Sequence, residues 1–250
     1  MEWFERLYTK EFIELCGFAD SEQTRREAAF VVKALNVTSK TKLLDLCCGF
    51  GRHSSEIAKI AHCSIAGVDW SDEYLAIAKE HYSGPGIEYR KGDMRDLPFD
   101  GEFDAAVNLF TSFGYFDADA ENEQVLHEVN RALKPSGLFL LDYENKFWFV
   151  RNDVQTKRRS WQKKDSETYY LIENKYDVIK EREVYSIAIL QRGTVVDEVG
   201  YSIRLYSLPE LQSMLDRQGF ELVQVWGDYE GNPYTVDSKR MITLSKKMAG

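Results

Sequence analysis

Cysteine is scarce in this chain of 250 residues, and no long apolar run is present. The four cysteines, Cys16, Cys47, Cys48 and Cys63, have spacings that suit neither a zinc site nor a disulfide framework, so we expect reduced thiols and no bound metal. No apolar segment approaches the roughly 18 residues that a membrane-spanning helix needs, and the first residues lack the basic and apolar regions of a signal peptide. The sequence therefore predicts a soluble cytoplasmic protein with no membrane partner.

Positive charge is also in short supply, with 32 lysines and arginines against 41 aspartates and glutamates and a formal net charge of -9. A surface of this sign repels phosphate backbones, so nucleic acid is not an expected partner. A local basic patch, such as residues 157–159, keeps a nucleic-acid or protein partner open as an alternative. We expect a monomer or a homodimer.

Beyond residue 42, short apolar runs alternate with amphipathic helical patterns. The runs are residues 43–47, 64–69, 87–91, 103–110 and 137–143. The helical patterns lie near 52–61, 72–81 and 117–133, the last with Asp117 as its N-terminal cap. Strands joined by crossover helices predict an α/β fold with a doubly wound, Rossmann-like sheet, whose ligands bind at the carboxyl ends of the strands.

The pattern changes between residues 144 and 204, where strand patterns at 169–178, 184–190 and 194–203 are separated by short charged turns. Such turns are typical of antiparallel pairing, so we expect an inserted antiparallel β cap at 144–204. A capping box from Ser207 then predicts a helix, and 220–226 and 241–245 predict an antiparallel pair at the sheet edge. The whole chain is expected to form one domain, with its core at 41–143 and 205–250.

An aromatic face marks the N-terminal segment. Residues 1–40 are expected to form helices, and the first helical pattern places Trp3, Phe4, Leu7, Tyr8 and Phe12 at helical spacing. One interpretation is a helix that packs on the body through this face. The other is an N-terminal helical lid over a ligand, with Tyr8 directed at it.

Two glycines one residue apart, Gly49 and Gly51, follow the first apolar run and precede a helical pattern. Glycine lets the backbone approach a ligand, and the start of a helix offers free N–H groups. Asp45 would repel the pyrophosphate of a dinucleotide but suits an ammonium group, and Ser54 stands where a dinucleotide fingerprint has its third glycine. The turn therefore indicates the methionine moiety of S-adenosylmethionine and disfavours a nicotinamide dinucleotide.

Three aspartates, Asp45, Asp69 and Asp93, follow one another at intervals of 24 residues, the length of one strand and one crossover. They are therefore expected along one edge of the sheet. Asp69 closes the second run and is well placed to accept both hydroxyls of a ribose. Asp93 can accept a hydrogen bond from the amino group of adenine, with Met94 packed on the ring.

In order and spacing, these motifs resemble those of the class I S-adenosylmethionine-dependent methyltransferases, in their small-molecule branch. The resemblance spans about residues 42–143 and rests on 43–54, 67–69, 92–94, 103–108 and 133–138. It implies an enzyme with S-adenosylmethionine as cofactor, a seven-stranded sheet with an antiparallel last strand, and Asp69 and Asp93 as ribose and adenine ligands. One departure is Cys47, which stands where the family usually has glycine. The expected cofactor-binding residues are Asp45, Cys47, Gly49, Gly51, Asp69, Trp70, Asp93, Met94 and Asn108.

The acceptor side is expected at the ends of the fourth and fifth strands and at the cap. Methyl transfer from a sulfonium is a direct displacement, so the protein must align donor and acceptor and exclude water. The candidate catalytic residues are His53 and Tyr115, although His53 equally suits a plain position in the first turn of a helix. The expected substrate-binding residues are Tyr8, Tyr115, Phe116, Tyr143 and Arg204, with a structural salt bridge as the alternative role of Arg204.

The sequence thus predicts methyl transfer to nitrogen or oxygen of a small-molecule acceptor. One alternative is a methyltransferase that acts on protein or tRNA. Another is a protein that binds S-adenosylmethionine as a sensor and has no catalytic activity.

Overall fold

The computed structural model describes residues 6–16, 21–153 and 158–248. Its helices are α1 (Lys10–Cys16), α2 (Ser21–Ala34), α3 (Arg52–Ala61), α4 (Asp72–His81), α5 (Asp119–Ala132), α6 (Lys146–Asp153) and α7 (Leu208–Arg217). Its strands are β1 (Lys42–Leu46), β2 (Ser64–Asp69), β3 (Ile87–Lys91), β4 (Phe103–Asn108), β5 (Leu133–Glu144), β6 (Arg158–Lys163), β7 (Thr168–Asp177), β8 (Arg182–Gln191), β9 (Thr194–Arg204), β10 (Phe220–Trp226) and β11 (Arg240–Lys247). Within these ranges no helix is long and apolar enough to span a bilayer.

Seven strands form the main sheet, in the order β10-β11-β5-β4-β1-β2-β3. Strands β1 to β5 run parallel to one another, whereas β11 is antiparallel to both β5 and β10. The predicted Rossmann-like sheet with an antiparallel last strand is therefore confirmed. Because β11 lies between β5 and β10, the final pair closes one edge of the sheet.

Side-chain alternation along the strands sends apolar residues to both faces of the main sheet. Leu43 of β1 belongs to a buried cluster with residues of α2 and α3. Its neighbour Leu44 belongs to a different cluster, formed with residues of α5 and α7. Both leucines are fully buried, and a strand covered on both faces must be apolar, which explains the continuous apolar run of β1.

A separate antiparallel sheet, in the order β6-β7-β8-β9, forms where the β cap is predicted, and we call it the second sheet. Leu7 and Phe12 of the N-terminal segment cluster with Tyr170 of β7 and Ile187 of β8. The aromatic face therefore packs on the second sheet. Trp3 and Phe4, which the sequence also assigns to this face, lie outside the described residues.

The sequence patterns predict neither β6 nor α6. β6 is rich in basic and polar residues and, among the described strands, pairs only with β7, and charged residues are typical of an edge strand. The predicted cap of α5 is wrong, because Ala118 holds the N-cap position and the Asp117 carboxylate lies 3.8 Å from the Arg182 guanidinium. β5 begins at Leu133, directly after α5, and therefore starts earlier than the predicted run at 137–143.

Candidate functional site

A cavity of about 820 Å³ lies at the carboxyl ends of β1 to β4, between the main sheet and the second sheet. Its wall comes from α1, the turn after β1, the ends of β2 and β3, the loop after β4, and strands β8 and β9. Ligands of doubly wound sheets bind beyond the carboxyl ends of the strands, so this is the expected place. The volume is near the upper end of the roughly 300 to 1,000 Å³ that is usual for small-molecule sites.

The turn after β1 is built from left-handed residues. Cys47, Gly49 and Gly51 have φ angles of 59°, 56° and 84°, in a region that glycine adopts readily and other residues rarely. A Cβ atom at Gly51 would lie 2.4 Å from the hydroxyl oxygen of Tyr89, so a side chain does not fit there. Cys47 lines the cavity in a backbone conformation that suits glycine better, and its Sγ lies 3.5 Å from Sδ of Met94.

Asp69, the last residue of β2, is hydrogen-bonded to the turn that follows β1. Its Oδ2 accepts a hydrogen bond from the N–H of Gly49 at 2.8 Å, and its Oδ1 accepts one from the N–H of Ser71 at 2.9 Å. Burial raises the pKa of Asp69, and the backbone donors act in the opposite direction. Asp69 and Trp70 both line the cavity, which is where the sequence expects them.

Asp45 lines the cavity from β1, although only 2% of its surface is exposed. Its Oδ2 accepts a hydrogen bond from the hydroxyl of Ser54 in α3. Burial raises the pKa of Asp45 to about 7, and the hydrogen bond from Ser54 offsets only part of this effect. The serine at the third glycine position of the fingerprint is thus a hydrogen-bond donor to the buried carboxyl group.

Asp93 and Met94 line the cavity beyond the end of β3. Asp93 accepts hydrogen bonds from the backbone N–H of Arg95 at 2.8 Å and from its guanidinium at 2.7 Å. Partial burial acts to raise the pKa of Asp93, but the hydrogen bonds from Arg95 outweigh it and lower the pKa overall. Arg95 also lies 4.2 Å from the ring centroid of Phe116, so it connects Asp93 to a predicted acceptor residue that lines the same cavity.

Five cavity residues form a connected row of aromatic rings, which we call the tyrosine belt: Tyr8, Tyr74, Tyr115, Tyr185 and Tyr201. Neighbouring ring centroids along the belt are 5.0 to 6.2 Å apart. The hydroxyls of Tyr8 and Tyr115 share a hydrogen bond, and burial raises the pKa of both. The hydroxyl oxygen of Tyr74 is buried and has no hydrogen-bond partner in the described part of the chain.

The segment of Tyr8 and α1 is attached to both sides of the cavity. On the side of the main sheet, the hydroxyl of Ser71 donates to the carbonyl oxygen of Tyr8 at 2.9 Å. On the other side, the Phe12 ring contacts the ring of Tyr185 in β8, with centroids 6.2 Å apart. One short stretch of chain therefore touches the end of β2 and the second sheet at once.

Two carboxylates that line the cavity, Glu183 of β8 in the second sheet and Glu144 at the end of β5 in the main sheet, were missed by the sequence predictions. Glu183 is only 3% exposed, and its Oε1 accepts hydrogen bonds from Nδ2 of Asn174 at 2.9 Å and from the hydroxyl of Tyr201 at 3.4 Å. Glu183 and Tyr185 are two residues apart on β8, so they face the same side, and Tyr185 pairs with Tyr201 across β8 and β9. Strand alternation would have grouped these residues once one of them was known to face the cavity.

His53 lines the cavity, but its ring also contacts Glu27 of α2. Its Nε2 lies 2.6 Å from Oε2 of Glu27, and the guanidinium of Arg52 donates to the same oxygen at 3.0 Å. Burial lowers the pKa of His53, and the hydrogen bond with Glu27 opposes this effect. This nitrogen of His53 therefore already has a partner within the protein.

Arg240, which the sequence analysis does not single out, lines the cavity from β11. It donates to Oδ1 of Asp142 at 2.7 Å and to the hydroxyl of Thr111 at 2.8 Å. Arg240 and Arg52 both lie against the ring of Phe110, 5.8 Å and 4.9 Å from its centroid. Nothing local in the sequence of β11 indicates this contact, because it depends on the pairing of β11 with β5.

Four of the predicted site residues do not line the cavity: Gly51, Asn108, Tyr143 and Arg204. The amide of Asn108 donates to the carbonyl oxygen of the last residue of β1 at 3.2 Å. The hydroxyl of Tyr143 donates to the carbonyl oxygen of Arg204. The guanidinium of Arg204 pairs with Glu181 at 2.6 Å and Glu210 at 2.9 Å. The expectation that Tyr143 and Arg204 face the acceptor is therefore not met, and Arg204 forms the alternative salt bridge.

Known proteins similar to this chain are methyltransferases. The family model described as "Methyltransferase domain" matches residues 43–137. The 2-phytyl-1,4-naphtoquinone methyltransferase of Synechocystis sp. is 31% identical over 177 residues, which cover 64% of this chain and 72% of that relative. The cypemycin N-terminal methyltransferase of Streptomyces sp. is 27% identical over 211 residues, or 82% of each chain. A solved structure of an S-adenosylmethionine-dependent methyltransferase from Clostridium acetobutylicum has a TM-score of 0.74 at 18% identity, covering 90% of this chain and 92% of that one.

Proposed function

Because the chain belongs to the class I S-adenosylmethionine-dependent methyltransferases, we propose that it transfers the methyl group to nitrogen or oxygen of a small-molecule acceptor. The observation that carries this proposal is one cavity that joins the glycine turn and the strand-end aspartates to the tyrosine belt. A donor and an acceptor can therefore meet in a space that is walled by both sheets.

The residues on the side of the main sheet fit S-adenosylmethionine, the cofactor of this family. In our proposal Asp69 receives the ribose hydroxyls, while Asp93 receives the adenine amino group and Met94 packs on the ring. Asp45 supplies a carboxyl group near the turn that suits the methionine ammonium. The buried hydroxyl of Tyr74, for which the described residues offer no hydrogen-bond partner, supports the fit, because a polar ligand in the cavity would supply one.

The remaining predicted cofactor residues have supporting roles in this proposal. Cys47 and Gly49 bring the backbone of the turn to the cavity wall, and Trp70 lies beside the ribose position. Gly51 and Asn108 act indirectly, because Gly51 permits the close approach of Tyr89 and Asn108 is bonded to the end of β1.

When bound, the cofactor supplies a methyl group on a positively charged sulfur. The task of the chain is to hold an acceptor in line with that methyl group and to exclude water. We assign this task to Tyr8, Tyr115 and Phe116, whose side chains wall the cavity. Burial raises the pKa of Tyr8 and Tyr115, so both hydroxyls stay neutral and orient a ligand through hydrogen bonds. His53 has a structural role in this proposal, because Glu27 already binds its Nε2.

A small acceptor is favoured over protein or tRNA by the surroundings of the cavity. In the basic patch at 157–159, Lys157 lies outside the described residues, and Arg159 is exposed, pairs with Glu173 and does not line the cavity. The name of the Synechocystis relative also specifies a small molecule, a naphtoquinone. A sensor without catalysis would leave the methyl group on the cofactor, so turnover separates it from an enzyme.

We further propose that residues 1–250 work as one domain, with a core at 41–143 and 205–250. In this arrangement residues 1–40 provide a helical lid and 144–204 provide the cap over the acceptor. Tyr8 and Phe12 from the first segment and Glu183 from the second line the cavity, which supports this division of roles.

The test is incubation of the protein with methyl-labelled S-adenosylmethionine and a small-molecule extract of cells, followed by chromatography of the labelled products. We expect label in a small molecule and one equivalent of demethylated cofactor for each product. Label found only in added protein or tRNA, or no turnover despite cofactor binding, would contradict the proposal.

The variant Asp69→Ala should bind the demethylated cofactor on the order of 100-fold more weakly in calorimetry, because two hydrogen bonds to a charged acceptor contribute about 1.5 kcal/mol each. Asp72→Ala is the matched control, since Asp72 is exposed and does not line the cavity. Equal affinity of the Asp69 variant and the wild type would remove the ribose assignment.

A further inference from the structure

We propose that the methyl-accepting atom is an amine nitrogen, and that Glu183, Tyr115, Tyr185 and Tyr201 bind the acceptor as its ammonium cation. We call these four residues the amine subsite. This inference rests on the proposed function and narrows its acceptor to one chemical class.

The first observation is the position of Glu183. Its side chain lines the cavity from β8 and is only 3% exposed. Hydrogen bonds from Asn174 and Tyr201 hold one carboxylate oxygen in place. A carboxylate that is largely removed from water gains most from a nearby cation.

The second observation is the arrangement of the rings. Tyr185 and Tyr201 are stacked, with centroids 5.0 Å apart and an angle of 13° between their planes. Tyr115 meets Tyr201 edge-on at 6.1 Å and an angle of 74°. The faces of aromatic rings attract alkylammonium groups, and several rings around one space form the usual receptor for such cations. The amine subsite therefore combines a carboxylate with three aromatic rings that line the same cavity, two of which cover one face of each other.

The third observation is the connection of the amine subsite to the rest of the tyrosine belt. The hydroxyl of Tyr115 shares a hydrogen bond with that of Tyr8, and the ring of Tyr8 meets the ring of Tyr74 with centroids 5.7 Å apart. The amine subsite is therefore in contact with the residues on the side of the main sheet.

The charge of the cavity agrees with a cationic acceptor. The arginines in its wall each have a carboxylate partner: Arg52 pairs with Glu27, Arg95 with Asp93, and Arg240 with Asp142. Two more acids, Glu183 and Glu144, line the cavity, and Glu183 is held by hydrogen bonds from Asn174 and Tyr201. An anionic acceptor would face these acids, whereas an ammonium group is attracted by them.

The reaction requires the neutral amine. The ammonium group first gives a proton to the carboxylate of Glu183, which leaves the nitrogen lone pair free. The nitrogen then donates this pair to the methyl carbon, and the carbon–sulfur bond breaks with its electrons going to sulfur. The products are an N-methylammonium cation and a neutral thioether, and Glu183 returns its proton to solvent when the products leave.

The experiment compares two probes on protein loaded with the demethylated cofactor: choline and its uncharged carbon analogue 3,3-dimethylbutan-1-ol. Calorimetry should show that the wild type prefers choline on the order of tenfold, as a desolvated cation in an aromatic and acidic site would predict. Glu183→Gln should remove this preference. Glu198→Gln, an exposed change in the same sheet, should keep it.

Several results would overturn the inference. One is equal binding of the two probes by the wild type, and another is an unchanged preference in Glu183→Gln. A third concerns the cofactor in a Glu183→Gln protein that keeps the preference for choline. If this variant loses more affinity for S-adenosylmethionine than for its demethylated form, the Glu183 carboxylate interacts with the sulfonium and not with the acceptor. Equal affinity of Glu183→Gln and the wild type for the demethylated cofactor shows that the variant is folded.

Turnover separates a failure of this inference from a failure of the proposed function. Transfer to primary or secondary amines but not to matched alcohols supports the amine subsite. Transfer only to hydroxyl compounds overturns the amine subsite and leaves small-molecule methyl transfer intact. Label that appears only in protein or tRNA overturns the proposed function itself.

Discussion

Replacing Asp45 by asparagine should change how the stability of the cofactor-free protein depends on pH. Asp45 is 2% exposed, and its burial raises its pKa from the ordinary 3.8 to about 7. Ser54 and Arg52 act to lower the pKa, while the nearby carboxylate of Asp69 adds to the rise. The folded protein therefore keeps a proton that the unfolded chain releases between about pH 4 and pH 7.

The direction in which stability changes with pH follows from that difference in bound protons. Folding carries no penalty from Asp45 below about pH 4, and the penalty grows as the pH rises until it levels off above pH 7. At about 1.4 kcal/mol for each pKa unit, the full penalty is about 4 kcal/mol. Between pH 5 and pH 8 it grows by about 3 kcal/mol. Asparagine has no proton to lose. The free energy of unfolding of Asp45→Asn should therefore rise by about 3 kcal/mol relative to that of the wild type between pH 5 and pH 8.

The assay is urea unfolding of both proteins at pH 5, 6, 7 and 8 without cofactor, with the free energy of unfolding compared at each pH. Titrating groups that do not interact with Asp45 are common to both proteins and cancel in the difference. Asp216→Asn is the matched control for the exchange of an aspartate for an asparagine, because Asp216 is exposed at the end of α7 and does not line the cavity. A difference between Asp45→Asn and the wild type that stays constant from pH 5 to pH 8 would refute the reasoning.

Two further predictions concern the shape of the site. Gly51→Ala should lower the free energy of unfolding by more than about 2 kcal/mol, because the left-handed backbone and the hydroxyl of Tyr89 both oppose a Cβ atom. Gly101→Ala, at a left-handed glycine with open space, should cost less in the same thermal and urea measurements. Arg182→Met should cost about 3 kcal/mol, since partly buried carbonyl oxygens in the loop after β4 lose the guanidinium donor of a buried residue, and it should also weaken acceptor binding. Arg192→Met, at an exposed turn, is its control, and an equal effect of the two changes would show that the contact between β8 and this loop has no special role.

The meeting of the glycine-containing turn with the strand-end aspartates at one cavity was predictable from sequence because its geometry is local. A strand, a glycine turn and a helix follow one another without interruption, so Gly49 and Asp45 have their places within one short segment. The regular strand and crossover repeat then carries Asp69 and Asp93 to the same edge. All of these acids line the cavity.

The part of the cavity wall that the second sheet forms was less predictable because it depends on contacts between distant segments. Glu183 and Tyr201 lie on a sheet whose placement over the core has no marker in the strands themselves. Arg204 was assigned to the acceptor from its position beside the cap, but Glu181 and Glu210 hold its guanidinium elsewhere. Strand patterns identify which residues share a face, and they do not identify what that face covers.

The attachment of the first helix has a consequence for the order of events in turnover. The segment with Tyr8 is bonded to Ser71 at the end of β2, and α1 contacts Tyr185 on the second sheet. If the cofactor and the acceptor bind as proposed, a movement of this segment would change access to both of them together. We then expect the entry and departure of the two ligands to be kinetically linked, so that loosening this segment speeds the exchange of both.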